Sequence, residues 1–97
     1  MPPTIEYVRF DASDPDLLLA GRESLIEVLR ERYGSDFLGA HLARTDDGSL
    51  MDFLIWSSPE AAARAAEEMP RHERTQGFFR QIGHVHEMRH GAVLHTA

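Results

Sequence analysis

Hydrophobic and polar positions change period several times along the chain, and the changes mark out its elements. Over residues 5–11 the pattern has a period of two: Ile5, Tyr7 and Arg9 fall on one side, Glu6, Val8 and Phe10 on the other, which predicts a strand. Asp14-Pro15-Asp16 predicts a helix start. Asp14 suits the N-cap, Pro15 the first helical position, and Asp16 the positive end of the helix dipole. The period of 3.6 that follows puts Leu18, Leu19, Leu25, Ile26, Leu29 and Tyr33 on one face, with Glu23, Glu27, Arg30 and Glu31 opposite; Gly34 ends the helix.

Residues 37–44 and 50–56 predict two strands joined at Thr45-Asp46-Asp47-Gly48-Ser49, where Asp47-Gly48 is a strong hairpin signal. The second of these strands is apolar on both faces: Met51, Phe53 and Ile55 on one, Leu50, Leu54 and Trp56 on the other. A strand with one wet face alternates cleanly, so both faces of this one need cover. Helices can supply one cover, and the sheet of a second copy the other.

Ser57 or Ser58 caps a second, alanine-rich helix that must end or kink near Glu68, ahead of Pro70. Residues 71–82 predict a further short helix with the stripe Thr75, Phe78, Phe79 and Ile82, interrupted by Gly77. Residues 84–94 predict the last strand, with His84, His86, Met88 and His90 on one face. The order is strand, helix, strand, strand, helix, strand. This is the split βαβ arrangement of a ferredoxin-like α+β fold with an antiparallel sheet, expected to occupy residues 1–97 as a single domain.

Composition narrows the function. The net charge is −6 and the ten basic residues, all arginine, form no basic stripe, so no nucleic-acid partner is expected. No apolar run is long enough to span a membrane, and the first residues lack the basic and apolar regions of a signal peptide. Cysteine is absent, which removes disulfides and thiolate metal sites and fits a cytoplasmic protein. No Gly-rich phosphate loop, nucleophile elbow or Cys–His pair is present, and neither flavin nor nicotinamide binding has support, so no cofactor is expected.

Phe37-Leu38-Gly39-Ala40-His41-Leu42 before the turn, and Phe53-Leu54-Ile55-Trp56-Ser57-Ser58-Pro59-Glu60-Ala61-Ala62 after it, resemble the antibiotic-biosynthesis-monooxygenase family. A strand ending in Trp runs there into a Ser/Glu/Ala-rich helix start, and the resemblance extends over nearly the whole chain. It implies a homodimer whose sheets pack face to face into an α+β barrel, with a small cavity between sheet and helices. It also implies candidate activities, among them oxidation of aromatic polyketides or quinol-type compounds by oxygen without a cofactor. The Asn of the first strand and the Trp of the second helix that serve the haem-degrading branch are absent; the latter position is about Ala65.

Six residues are candidates for chemistry. Arg22 falls within the apolar arc of the first helix, where a guanidinium needs an anionic partner. It is either a cavity cation that holds a phenolate or carboxylate or stabilises an enolate, or a structural ion pair with Glu6, Asp52 or Glu87, or a side chain that snorkels to solvent. Asp52 lies on the Leu50/Leu54/Trp56 face and is either a buried base or an arginine's partner. His72 is an acid or base at a cavity mouth, or an exposed helix histidine. Tyr7, Trp56 and Phe79 are walls for a small aromatic molecule, or core residues. His84, His86 and His90 have spacings compatible with a metal, but a third ligand would have to come from elsewhere and no metal site is expected. The leading reading is a cofactor-independent monooxygenase. The rivals are a non-catalytic dimer that binds a small ligand, and an interaction module whose cavity is filled by its own side chains.

Overall fold

A computed structural model of the chain describes residues 2–97. The sheet is antiparallel, built from β1 (Thr4–Phe10), β2 (Phe37–Arg44), β3 (Leu50–Trp56) and β4 (Val85–Ala92) in the order β2-β3-β1-β4. Helices α1 (Pro15–Tyr33), α2 (Pro59–Glu68) and α3 (Gln76–Phe79) make the rest. The expected ferredoxin-like order is the observed one. Among the described residues no helix is long and apolar enough to cross a membrane.

The predicted signals act as expected at most boundaries. Asp14 accepts from the Leu17 N–H at 3.1 Å with Pro15 next in the chain, and Ser58 accepts from the Ala61 N–H at 3.2 Å. Each satisfies an N-terminal donor that the helix cannot pair. Between β2 and β3, Gly48 takes φ 89° while Asp47 accepts from the Ser49 N–H, which holds the strands in register.

Two expectations change. Leu19 is exposed, and Val28 takes a place in the core: the buried face of α1 runs Leu18, Arg22, Leu25, Val28, Leu29 and Tyr33. The helix expected over 71–82 breaks into 3₁₀ turns at Met69–Arg71 and Glu73–Thr75, and only α3 is α-helical. Pro70 has no N–H to give. The Thr75 hydroxyl donates to the carbonyls of Met69 and His72, and Gln76 Nε2 to those of Pro70 and His72. These side chains take the acceptors that a continuous helix would have used.

Packing requires glycine at Gly21, whereas a Cβ on Gly77 would meet only Gly21 Cα, at an ordinary 3.6 Å. The α1 and α3 backbones meet at Gly21 and Gly77; a Cβ on Gly21 would sit 2.5 Å from Gly77 O and from Phe78 N. Gly21→Ala should therefore destabilise the fold. The gain in helix propensity is about 0.5–1 kcal/mol, whereas forcing packed backbones apart costs about 1–3 kcal/mol. A lower melting temperature than wild type in a thermal scan is the expected result; a rise would show that the helices separate without cost.

The helices cover one face of the sheet. Thr4, Glu6 and Phe10 of β1 and Leu50, Asp52 and Trp56 of β3 are buried there. Trp56 packs edge-on against Tyr33 at 5.3 Å and tilted against Phe37 at 5.4 Å. The other face carries Tyr7 stacked on Phe53 at 5.1 Å, with Ile5, Met51 and Ile55 beside them, all half-buried, and among the described residues no helix lies over it.

Candidate functional site

Between the sheet and the helices lies a cavity of about 290 Å³. Its floor is the covered sheet face, from Glu6, Val8 and Phe10 across to Asp52, Leu54 and Trp56; its roof is Leu25 and Leu29 of α1, Ala65 and Ala66 of α2, and Phe78 and Phe79 of α3. Small alanines on the inner side of α2 leave volume that leucines would fill. Met88 of β4, half-exposed, also borders it. A dry cavity of about 150 Å³ holds one benzene ring, so this one has room for two rings.

The lining is apolar except for two buried carboxylates, Glu6 and Asp52. They sit on adjacent strands, because Glu6 pairs with Leu54 and Val8 with Asp52. Arg22 Nη1 donates to Asp52 Oδ2 at 2.8 Å, with both side chains buried, and the guanidinium lies 5.7 Å from the centre of the Phe78 ring. Burial pushes the Asp52 carboxyl above its ordinary value, against the pull of Arg22. Glu6 Oε2 is 3.3 Å from His90 Nε2. Burial also raises the Glu6 carboxyl, His90 opposes the rise, and the negative charge of Asp52 adds to it. Asp52 Oδ1, Arg22 Nη2 and Trp56 Nε1 are buried without a hydrogen-bond partner.

Of the six residues singled out from sequence, Asp52, Trp56 and Phe79 border the cavity, and Arg22 stands behind it, held by Asp52. Tyr7 lies on the opposite face of the sheet, against Phe53. His72 is outside, its Nδ1 accepting from the Arg74 N–H at 3.1 Å, in a surface depression with Arg32 and Glu68. Of the three histidines, His84 and His86 meet edge to face at 4.7 Å, and His90 stands apart from them. A bulge opposite Arg9 and Phe10 takes His86 out of alternation, and its Nε2 lies 2.8 Å from Asp11 Oδ1, while His90 turns to Glu6. Among the described residues no three of His, Asp and Glu gather as a metal-binding group.

Glu6 and His90 enter the sequence reading only as a partner for Arg22 and as one of three histidines at metal-compatible spacing, and their pairing with each other is new. A signal existed for Glu6: it shares its side of the first strand with Val8 and Phe10, and a carboxylate on an apolar face needs an explanation. His90 carried no comparable signal, since its partner is 84 residues away.

No family model and no curated relative matches the chain. Solved structures do. SnoaB of Streptomyces nogalater, a cofactor-independent oxygenase, superposes with a TM-score of 0.70 at 14% identity, over 100% of this chain and 96% of that one. A dimeric ferredoxin-like protein from an uncultured marine organism gives 0.66 at 13% identity, over 100% and 92%. A Chloroflexus aurantiacus protein assigned to the antibiotic biosynthesis monooxygenases gives 0.64 at 15%, over 98% and 96%. At such identities the likeness is one of fold: this chain has the antibiotic-biosynthesis-monooxygenase-like, ferredoxin-like fold.

Proposed function

We propose that the protein oxidises a small aromatic or quinol-type compound with molecular oxygen and without a cofactor, with Glu6 as the base. The observation that carries this reading is a buried carboxylate, raised above its ordinary value, in the wall of an apolar cavity. A base of that kind suits proton abstraction from a weak carbon or phenolic acid. In the proposed reaction Glu6 takes a proton from a ring-flanked CH₂ group. The carbanion passes electrons to O₂ and a C–O bond forms; the proton returns to give a hydroperoxide. Loss of water then leaves a carbonyl, with one oxygen atom in the product and the other in water. Trp56 and Phe79 would be walls. Asp52 is kept as a second carboxylate next to Glu6, with Arg22 holding it in place.

Oxygen uptake with a panel of anthrones, hydroquinones and naphthols tests this, each rate corrected for spontaneous oxidation. Saturable uptake that Glu6→Gln abolishes supports the reading; uptake unchanged by that substitution removes Glu6 from it. One observation favours the binding-protein alternative. Arg22 is spent on Asp52 and does not border the cavity, so no cation faces a developing enolate.

The working unit in this reading is a homodimer. The uncovered face has an apolar centre of Tyr7, Phe53 and Ile55, suited to sheet-on-sheet packing. Ultracentrifugation should give a particle of twice the 11.0 kDa chain mass, and Phe53→Glu should return it to monomer. A wild-type chain that sediments as a monomer at tens of micromolar would rule the dimer out.

A further inference from the structure

The charge on the cavity wall restricts what can enter. Its ionisable side chains are Glu6 and Asp52, and the one other polar atom on a lining side chain is the buried, unpaired indole N–H of Trp56; among the described residues neither Arg22 nor any other cationic side chain borders it. The Arg22 guanidinium already donates to Asp52 Oδ2, which leaves Oδ1 buried with lone pairs and no donor. Glu6 has only the long 3.3 Å contact with His90, itself half-exposed at the sheet edge. In the ionised form every free polar position on the two carboxylates is an acceptor. An anion entering here would lose its hydration, meet no donor from Glu6 or Asp52, and lie beside like charge in a low-dielectric space.

We infer that the cavity selects an apolar, ring-sized molecule that presents a hydrogen-bond donor, as a neutral hydroxyl or a protonated amine, to Glu6, and that it excludes carboxylates and phosphates of the same shape. The inference rests on the cavity as the ligand site, as the proposed function does, but not on any reaction taking place there. Binding in the absence of oxygen separates the two: selective binding with no oxidation would leave it standing while the oxidase reading fell.

Trp56 is the only tryptophan, it is buried, and it borders the cavity. Its single indole N–H resonance in an ¹⁵N spectrum of the full chain is thus a reporter on the site. Four probes of one ring system would be titrated at neutral pH: naphthalene, 2-naphthol, 2-naphthylmethylamine and 2-naphthoate. The expected result is roughly tenfold or greater weakening of 2-naphthoate relative to the naphthol or the amine, since an unpaired charge in a dry site carries a cost of that order or more. In Glu6→Gln the gap should narrow to within about twofold to threefold as the like charge is removed, while naphthalene binds as before. An amine tighter than the naphthol identifies ionised Glu6 as the partner, and the reverse order identifies a neutral ligand; either supports the inference. Naphthoate binding as well as the naphthol, a gap unchanged in Glu6→Gln, or an indole resonance that no probe moves would each overturn it. An amide spectrum of the variant that overlays the wild type shows that the fold is kept.

Discussion

Arg22→Leu is expected to destabilise the protein by about 3–5 kcal/mol, because it leaves Asp52 buried and unpaired. That is a large part of the roughly 5–15 kcal/mol that holds a domain together. The loss is not the strength of the ion pair itself. Both side chains are buried, so both have given up hydration, and their attraction largely offsets that cost. The double substitution Arg22→Leu/Asp52→Leu should therefore be close to wild type in stability, although each single change is severe. Denaturant unfolding of the four proteins in the cycle measures this directly. pH adds a second signature. With Arg22 gone nothing holds the Asp52 proton off, and the carboxyl, already raised by burial, rises further. Below that value Asp52 is neutral in the folded state and the defect shrinks, so Arg22→Leu should be relatively more stable in acid than at neutral pH. A single substitution that costs under about 1 kcal/mol, the range of an exposed pair, would mean that water reaches Asp52.

Much of this architecture was legible in the chain because local signals agreed with one another. The limits of β2 and β3 follow from Asp47-Gly48 and the alternation on either side, and α1 from Asp14 and Pro15. The pairing of Arg22 with Asp52 was among the alternatives because a cation in an apolar arc demands a partner. What was not legible depended on long-range register. The strand order β2-β3-β1-β4 brings His90 to Glu6, and a bulge takes His86 out of alternation and to Asp11. Neither has a local signature. Tyr7 is different, because alternation alone separates it from Val8 and Phe10. It was an expected wall by its chemistry, but the helices cover the Glu6 side, and its parity put it on the other. His72 failed for a third reason. The broken segment around Pro70 turns the imidazole back onto its own backbone, at the Arg74 N–H, which no helical wheel anticipates.

Glu6→Gln should act in opposite directions on stability and on oxidation. The folded-state value of Glu6 lies above its ordinary 4.5, chiefly through burial. Below 4.5 folded and unfolded chains both hold the proton, and Glu6 lends the fold its full stability. As pH rises the unfolded chain releases the proton first, so stability falls until pH passes the raised folded value, and beyond that the deficit is constant. Asp52 has the same sign. Glutamine has no proton to release, so the variant should match the wild type in acid and gain on it as pH rises through that window. The groups around Glu6 that could alter this are His90 on β4 and Asp52 on β3, with Arg22 of α1 behind Asp52. The oxidation rate would follow the other limb of the same titration. Only ionised Glu6 accepts a proton, so wild-type turnover should climb with pH across the window in which stability declines, and Glu6→Gln should lose roughly 10²–10⁴-fold. Thermal scans and oxygen-uptake rates over one pH series read both. A variant that is less stable at neutral pH would mean that Glu6 is held by its contact with His90 more strongly than burial opposes it. Glu6 would then be a structural carboxylate, unfit to take a substrate's proton.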